Sequence, residues 1–454
     1  MILIACLSLI PFAVFAGGGK QDSGSKGKEV DMSVTQKVPT GRFIVTPQLI
    51  GYENAEIELT WQPSPSHSMS APSKARVDDL TKKAEAWVKK YPNVKIVPVG
   101  TTNNINDNMT KLRVTVVEGG APDLCAVDSF MMPLFAEYAR PIQDIATARG
   151  IDVKDFFPFI QDTVLRGDDL LALWYTTDVR GLFYRKDLIS KAPSTVDELI
   201  ATGRDMTSKG MTGLIYLGGR NEGTVNNLWG LYWSQGAKLI DSKGNLGFES
   251  GSGKTAMLEF LNFFKRTIDS GVTPRTVIDY KSDANMYGDI ANGKIAMFIA
   301  SSSAIVQLRE IMGAEQFNKL WGLAPLPTMK AGQKSTSSAG GWTNVVFARD
   351  ELHRRLAADL AIDLYSSDEA AESWSFAGGY LPTRKSQYEK FAFIRNDPYL
   401  SFCQKLLNDA STRPPVELYN VISLETQVAV GNVITGTNTP EQALEATIKN
   451  IKNN

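Results

Sequence analysis

Histidine is nearly missing from this chain: 454 residues hold two, His67 and His353, far apart and near no cysteine pair. A zinc centre needs clustered nitrogen and sulfur ligands, so that chemistry drops out. Cysteine is almost as scarce. Of the three present, Cys6 lies in the apolar start, while Cys125 and Cys403 fall in a buried strand pattern and a helix pattern. They read as buried free thiols; one bridge could form in an oxidising compartment, but nothing demands it. Neither sign of charge is in surplus, with 48 Lys and Arg against 49 Asp and Glu. Such a chain has no excess positive charge to neutralise a phosphate backbone, which argues against nucleic acid as a partner.

Several catalytic signatures are also lacking. There is no Ser, His, Asp constellation and no strand-elbow serine. FESGSGKT, residues 248–255, has Phe248 where a phosphate loop needs its first glycine. DSKGNLGFE has Lys243 and Leu246 where a calcium loop needs an oxygen ligand and a glycine. The first of these reads as serine-rich capping of the next helix, the second as a hairpin around Gly244. Two carboxylates placed for glycoside hydrolysis remain open, because their separation is set in space and not along the chain.

What the chain does have is material for two domains. A length of 454 residues with 43% hydrophobic and 21% charged content exceeds one ordinary core. Residues 1–16, MILIACLSLIPFAVFA, form an apolar run closed by Ala16 and followed by polar residues, which is the pattern of a secretory signal. Lipidation at Cys6 or an uncleaved anchor stays open. Residues 17–54 are rich in Gly, Ser, Lys and Gln without a sustained apolar period and read as a flexible linker. From residue 57 onward strand and helix patterns alternate. Strands at 57–61, 94–99 and 124–127 are separated by a helix carrying Leu80, Ala84, Trp87 and Val88 and by another carrying Met109, Leu112 and Val116. Short connections between them predict a parallel sheet covered on both faces, with ligands beyond the carboxyl ends of its strands.

The centre of the chain is LLALWYTTDVRGLFYRKDLISKAPSTVDELI, residues 170–200. It reads as two short strands meeting at a polar joint that exposes Trp174 and Tyr175, followed by a helix opened by Ser194 or Thr195. Further on, the patterns predict a strand at 213–217, an aromatic helix at 226–236, an amphipathic helix at 256–268 and a buried strand at 295–300.

LFYRKDLISKAPSTVDELI resembles a signature of family 1 extracellular solute-binding proteins, which include the maltose-binding proteins of ABC importers, although Arg185 stands where that family usually has Asn. EGGAPDLCAVDSFMMPLFAEYARPIQDI, YGDIANGKIAMFIASSSAIVQLREI, WGLAPLPTMKAGQKSTSSAGGWTNVVFA, LPTRKSQY and TGTNTPEQALEATIKNI are similar to further blocks of the family in the same order, over residues 57–451. The resemblance implies an α/β chain with a two-lobe, type II periplasmic-binding-protein-like fold. Each lobe would be a mostly parallel sheet flanked by helices, joined by hinge crossovers. Residues 55–178 and 344–383 would form the N-terminal lobe, and residues 179–343 and 384–454 the C-terminal lobe. It implies a monomer that encloses a solute between lobes, carries no cofactor, performs no catalysis and delivers to ABC permease subunits. The place of work would be periplasmic or extracytoplasmic.

A neutral sugar offers C–H faces and hydroxyl edges, so flat amphipathic rings and a few directed polar groups should bind it. Trp61, Trp174, Tyr175, Trp229, Trp233, Trp342 and Tyr380 sit at predicted strand ends, crossovers or cleft-side elements; Trp87 and Trp321 sit in core patterns. Polar candidates are Asp128 and Ser129 at a strand end, Asp178 and Arg180 at the joint, and Asn226 on the aromatic helix. Ser301 and Ser302 precede a helix, Gly341 adjoins Trp342 in the second crossover, and Arg384 lies in the LPTR joint. A carbohydrate ligand is therefore expected. The alternatives left open are an exported carbohydrate-cleaving enzyme, a carrier of a non-sugar solute, and a sensor partner.

Overall fold

The protein is described by a computed structural model over residues 30–101 and 105–453. The apolar start and the first part of the predicted linker, residues 1–29, lie outside them. From residue 30 the chain is ordered rather than a tether. Strands β1 (Phe43–Thr46) and β2 (Leu49–Tyr52) form a hairpin, with the Phe43 ring edge-on to Tyr52 at 5.1 Å. Thr35 is buried ahead of it, and the Asn93 side chain donates to the Val34 carbonyl at 2.9 Å. Two four-residue strands between polar flanks are too short to set up a visible period, which is why composition alone reads as linker.

Strand β3 (Ile57–Gln62) runs parallel to both β4 (Val94–Pro98) and β5 (Leu124–Asp128). The crossovers are the helices Lys74–Lys90 and Ile105–Val117, and the first buries Leu80, Ala84, Trp87 and Val88 at three- and four-residue steps. Asp123 ties β5 to β3 by accepting from the Thr60 amide at 2.9 Å and its hydroxyl at 2.7 Å. This unit is the parallel βαβαβ that the sequence predicts.

After a small hairpin of β6 (Leu165–Arg166) and β7 (Asp169–Leu170) comes β8 (Ala172–Arg185), one continuous strand of 14 residues. The predicted pair of short strands is corrected here. Thr176 and Thr177 are β-branched and suit extended backbone, and Thr177 exchanges backbone hydrogen bonds with Leu381 at 2.9 and 3.3 Å. The polar joint therefore continues the strand. Trp174 and Tyr175 are buried in it, not exposed.

The remaining strands are β9 (Met297–Ser301), β10 (Trp321–Ala324), β11 (Ser338–Val346) and β12 (Ser411–Thr412). The sheet order is β1-β2-β4-β3-β5-β11-β8-β10, with β9 added on β8 and β12 on β11. β11 pairs with β8 as far as Ala339 opposite Val179; from Arg180 onward β8 pairs with β9. Two α/β lobes are thus joined by strands that run through both. Their pairing is mixed rather than mostly parallel, since β5–β11, β11–β8, β8–β9 and β8–β10 are all antiparallel. The predicted strand at 213–217 makes only single parallel bridges from Thr212 and Ile215. The aromatic helix is two short ones, Glu222–Asn226 and Trp229–Trp233.

Helix starts follow the sequence more closely. Thr195 accepts from the Glu198 amide at 3.2 Å, and Thr439 and Gln442 bond reciprocally at 2.9 and 3.3 Å. Trp87 and Trp321 are core residues, and Cys125 and Cys403 are buried free thiols. Among the described residues, no helix is long and apolar enough to cross a membrane.

Candidate functional site

A cavity of about 360 Å³ opens where β8 and β11 pass from one lobe to the other. That volume lies near the lower end of the ~300–1,000 Å³ usual for small-ligand pockets. β5 ends in it at Asp128, the carboxyl end of a parallel strand. β8 supplies Thr176 to Asp178 and Arg180, and β11 supplies Gly340, Gly341 and Trp342. Ser301 comes from the end of β9, Asp283 from the first turn of the helix Asp283–Ala291, and Arg413 from just beyond β12.

The two glycines let the strands close up. A Cβ on Gly341 would lie 1.8 Å from the Thr176 carbonyl oxygen, and one on Gly340 would lie 3.1 Å from the Arg413 guanidinium and 3.4 Å from that of Arg180. Both guanidinium groups can therefore lie low in the cavity. Each is tied to carboxylates. Arg413 donates to Asp128 at 2.8 Å and to Glu222 at 3.3 Å, and its guanidinium carbon lies 4.2 Å from the centre of the Phe130 ring. Arg180 donates to Asp178 at 2.6 Å and to Asn227 at 3.1 Å; Asn227 in turn donates to Asp283 at 2.9 Å. The Ser301 amide and hydroxyl donate to Asp283 and Asp178, both at 3.1 Å.

Burial pushes the Asp128 carboxyl above its usual range; Glu222 adds to the push and Arg413 opposes it. Burial likewise raises Asp283, against hydrogen bonding from the Ser301 amide and the charge of Arg180. The result is a preassembled lattice of donors and acceptors with few side chains left to reorganise. Among the described residues, no group of three or more His, Cys, Asp or Glu could hold a metal ion.

One wall is aromatic. Trp342 and Tyr380 line the cavity, and His67 stands behind them, its ring edge-on to Trp342 at 5.9 Å and to Tyr380 at 5.1 Å.

Of the residues singled out from sequence, the cavity brings together Asp128, Asp178, Arg180, Asn226, Ser301, Gly341, Trp342 and Tyr380. The others lie elsewhere. Trp61 is wholly buried in the sheet core, and Ser129 is buried without reaching the cavity wall. The Trp174 indole donates inward to the Thr176 carbonyl at 2.5 Å, and the Tyr175 hydroxyl meets His67 Nδ1 at 2.8 Å. Trp229 stacks on Phe260 at 5.2 Å and donates to the Tyr419 hydroxyl at 3.0 Å. Trp233 lines a separate surface hollow with Lys238 and Pro414. Ser302 bonds the Val179 carbonyl through its amide at 2.7 Å, and Arg384 binds Asp368 at 2.5 Å and the Ser366 carbonyl at 3.0 Å. Trp61, Trp174, Tyr175 and Trp229 are needed as core, and the Ser302 amide and the Arg384 guanidinium are already used to close the fold.

Sequence reading missed Glu222, Asn227, Asp283, Arg413 and His67. Asp283 looks like an ordinary helix-start residue after Ser282, and Arg413 is a lone basic residue before Pro414 and Pro415 with no period around it. Only spatial assembly marks them.

Residues 71–372, well over half the chain, match the family model for bacterial extracellular solute-binding proteins. The chain belongs to this family. A Deinococcus radiodurans relative described as a "probable ABC transporter-binding protein" is 23% identical over 384 residues, which is 81% of this chain and 88% of the relative. Among solved structures, maltose-bound MalE3 of T. maritima is 22% identical with a TM-score of 0.72, covering 87% of this chain and 99% of that one. An ABC transporter solute-binding protein of Thermotoga lettingae bound to alpha-D-tagatose is 23% identical with a TM-score of 0.70, covering 88% and 99%. These likenesses establish the two-lobe fold.

Proposed function

We propose that the protein is the extracytoplasmic binding component of an ABC importer, capturing a mono- or oligosaccharide in the cavity between its lobes and handing it unaltered to membrane permease subunits. The observation that carries this reading is the pairing of the half-buried Trp342 ring with a dense set of fixed donors and acceptors in one cavity. A ring of that kind suits the C–H face of a sugar, and the Arg, Asp, Asn and Ser groups beside it suit hydroxyl edges. The sugars bound by the T. maritima and Thermotoga lettingae proteins support the same class. Solute held against both lobes favours their closed arrangement, because only that arrangement lets both sets of contacts form. The division of lobes at residues 55–178 with 344–383 and 179–343 with 384–454 fits the change of pairing partner on β8 at Val179 and Arg180. The protein acts as a monomer, without nucleic acid, and leaves the cell interior through its apolar start.

A thermal-shift screen over neutral sugars, amino acids and polyamines tests the reading. Sugars should raise the melting temperature, and an oligosaccharide that binds should be recovered uncleaved after incubation. A response confined to amino acids or polyamines overturns the sugar class; cleavage products overturn the carrier.

A further inference from the structure

His67 is a fully enclosed imidazole beside the cavity, with a relative exposure of 0%. It comes from the short 3-10 turn Pro65–His67 after β3, a proline-rich loop that carries no recognisable motif. Both ring nitrogens meet phenol hydroxyls, Nδ1 that of Tyr175 at 2.8 Å and Nε2 that of Tyr380 at 2.9 Å. Four aromatic rings stand edge-on around it, those of Tyr175, Trp342, Trp374 and Tyr380, at 5.1 to 5.9 Å. The Tyr365 hydroxyl fixes its backbone by donating to the His67 carbonyl at 3.2 Å.

A neutral imidazole has one N–H and one bare nitrogen, so one phenol must donate to it and the other must accept. The buried Tyr175 hydroxyl has no other partner among the described residues. If Nδ1 carried the proton, the Tyr175 O–H would be left buried without an acceptor, a cost of about 1–3 kcal/mol. If Tyr175 donates to a bare Nδ1, every proton is placed. Nε2–H then donates to the Tyr380 oxygen. The Arg76 guanidinium, which can only donate, and the Ser66 hydroxyl lie near that oxygen, and Asp178 is the nearby negative charge. With Nε2–H donating to its oxygen, the Tyr380 hydroxyl keeps its own proton free, and because Tyr380 lines the cavity that proton can point into it.

We propose that His67 is held as the Nε2–H tautomer and thereby sets the Tyr380 hydroxyl as a hydrogen-bond donor to the solute. His67 is a positioning residue: it touches no solute and acts through Tyr380. The solute must then offer a lone pair at that place, as a hydroxyl, ring or carbonyl oxygen does, while an ammonium group, which can only donate, is turned away. Burial first and the Arg76 charge second push the imidazole well below its ordinary value, which keeps it neutral; the titratable groups facing it are Tyr175, Tyr365 and Tyr380. The role of Tyr380 rests on this cavity being the solute site, but the tautomer does not.

With only two histidines in the chain, long-range proton–nitrogen spectra of the full protein labelled with 15N-histidine are simple to read, and a His353→Gln variant assigns them. The expected spectrum shows His67 with a protonated Nε2 and a bare Nδ1, unchanged from pH 5 to pH 8. A protonated Nδ1, or an imidazolium in that range, overturns the proposal. In calorimetry with maltose and with D-tagatose as probes, Tyr380→Phe should bind at least about fivefold more weakly than the parent, the loss of one hydrogen bond, while Nδ1 of His67 stays bare because Tyr175 still donates to it. Equal affinity in the variant overturns the donor role. A parent protein that takes up neither probe counts against the sugar reading, and the histidine spectrum alone then upholds or overturns the tautomer.

Discussion

Trp342 is the residue on which the sugar reading leans most. Its backbone amide donates to the Thr176 hydroxyl at 3.2 Å, and its ring leans edge-on against His67 at 5.9 Å, so it is held from two sides while one face stays open to the cavity. A ring fixed in this way contributes to binding without first losing rotamer freedom. Trp342→Ala should therefore weaken sugar binding by at least about 1 kcal/mol, the scale of an aromatic contact, and leave the melting temperature of the free protein close to that of the parent. Calorimetry of both proteins checks this, and unchanged affinity would remove Trp342 from the site. The charged residues behave differently. Asp128 and Glu222 both pair with Arg413, and Asp178 pairs with Arg180, so removing any one takes a charge partner from a buried guanidinium and mixes loss of binding with loss of stability.

At the scale of elements, β8 and β11 decide the shape of the cavity. Their closest approach is at Gly341, where an added Cβ would meet the Thr176 carbonyl oxygen at 1.8 Å and the Trp174 indole nitrogen at 2.3 Å. Backbone cannot step aside within a paired sheet, so Gly341→Ala should cost about 1–3 kcal/mol of stability or more, as overpacked sites do. Urea unfolding of the variant measures it, and a midpoint equal to the parent's would show that the two strands part more easily than their pairing implies. The same two elements show what sequence can and cannot reveal. Helix starts at Thr195 and Thr439 and the amphipathic helix Gly251–Asp269 were legible, because caps and three- and four-residue periods are local. β8 was not legible as one strand, since burial on both faces erases alternation and its polar joint imitates a break. Within the cavity, residues next to a readable strand end or crossover, such as Asp128, Asp178 and Trp342, could be anticipated. Arg413 could not, because it reaches Asp128 from 285 residues away along the chain. The tryptophans misled for a related reason: an indole such as Trp229 looks the same in sequence whether its N–H faces a ligand or Tyr419.

For the molecule as a whole, the essential feature is that two lobes share strands and enclose a polar cavity beside that shared region. A solute gripped from both sides should draw the lobes together, and one that leaves them unmoved would not be gripped from both. Small-angle scattering on the purified protein, with and without a saturating sugar chosen by the thermal-shift screen, tests this most directly. The expected result is a smaller radius of gyration in the presence of sugar, reversed when the sugar is dialysed away unchanged. A radius that stays constant while the sugar saturates the protein would contradict capture between the lobes.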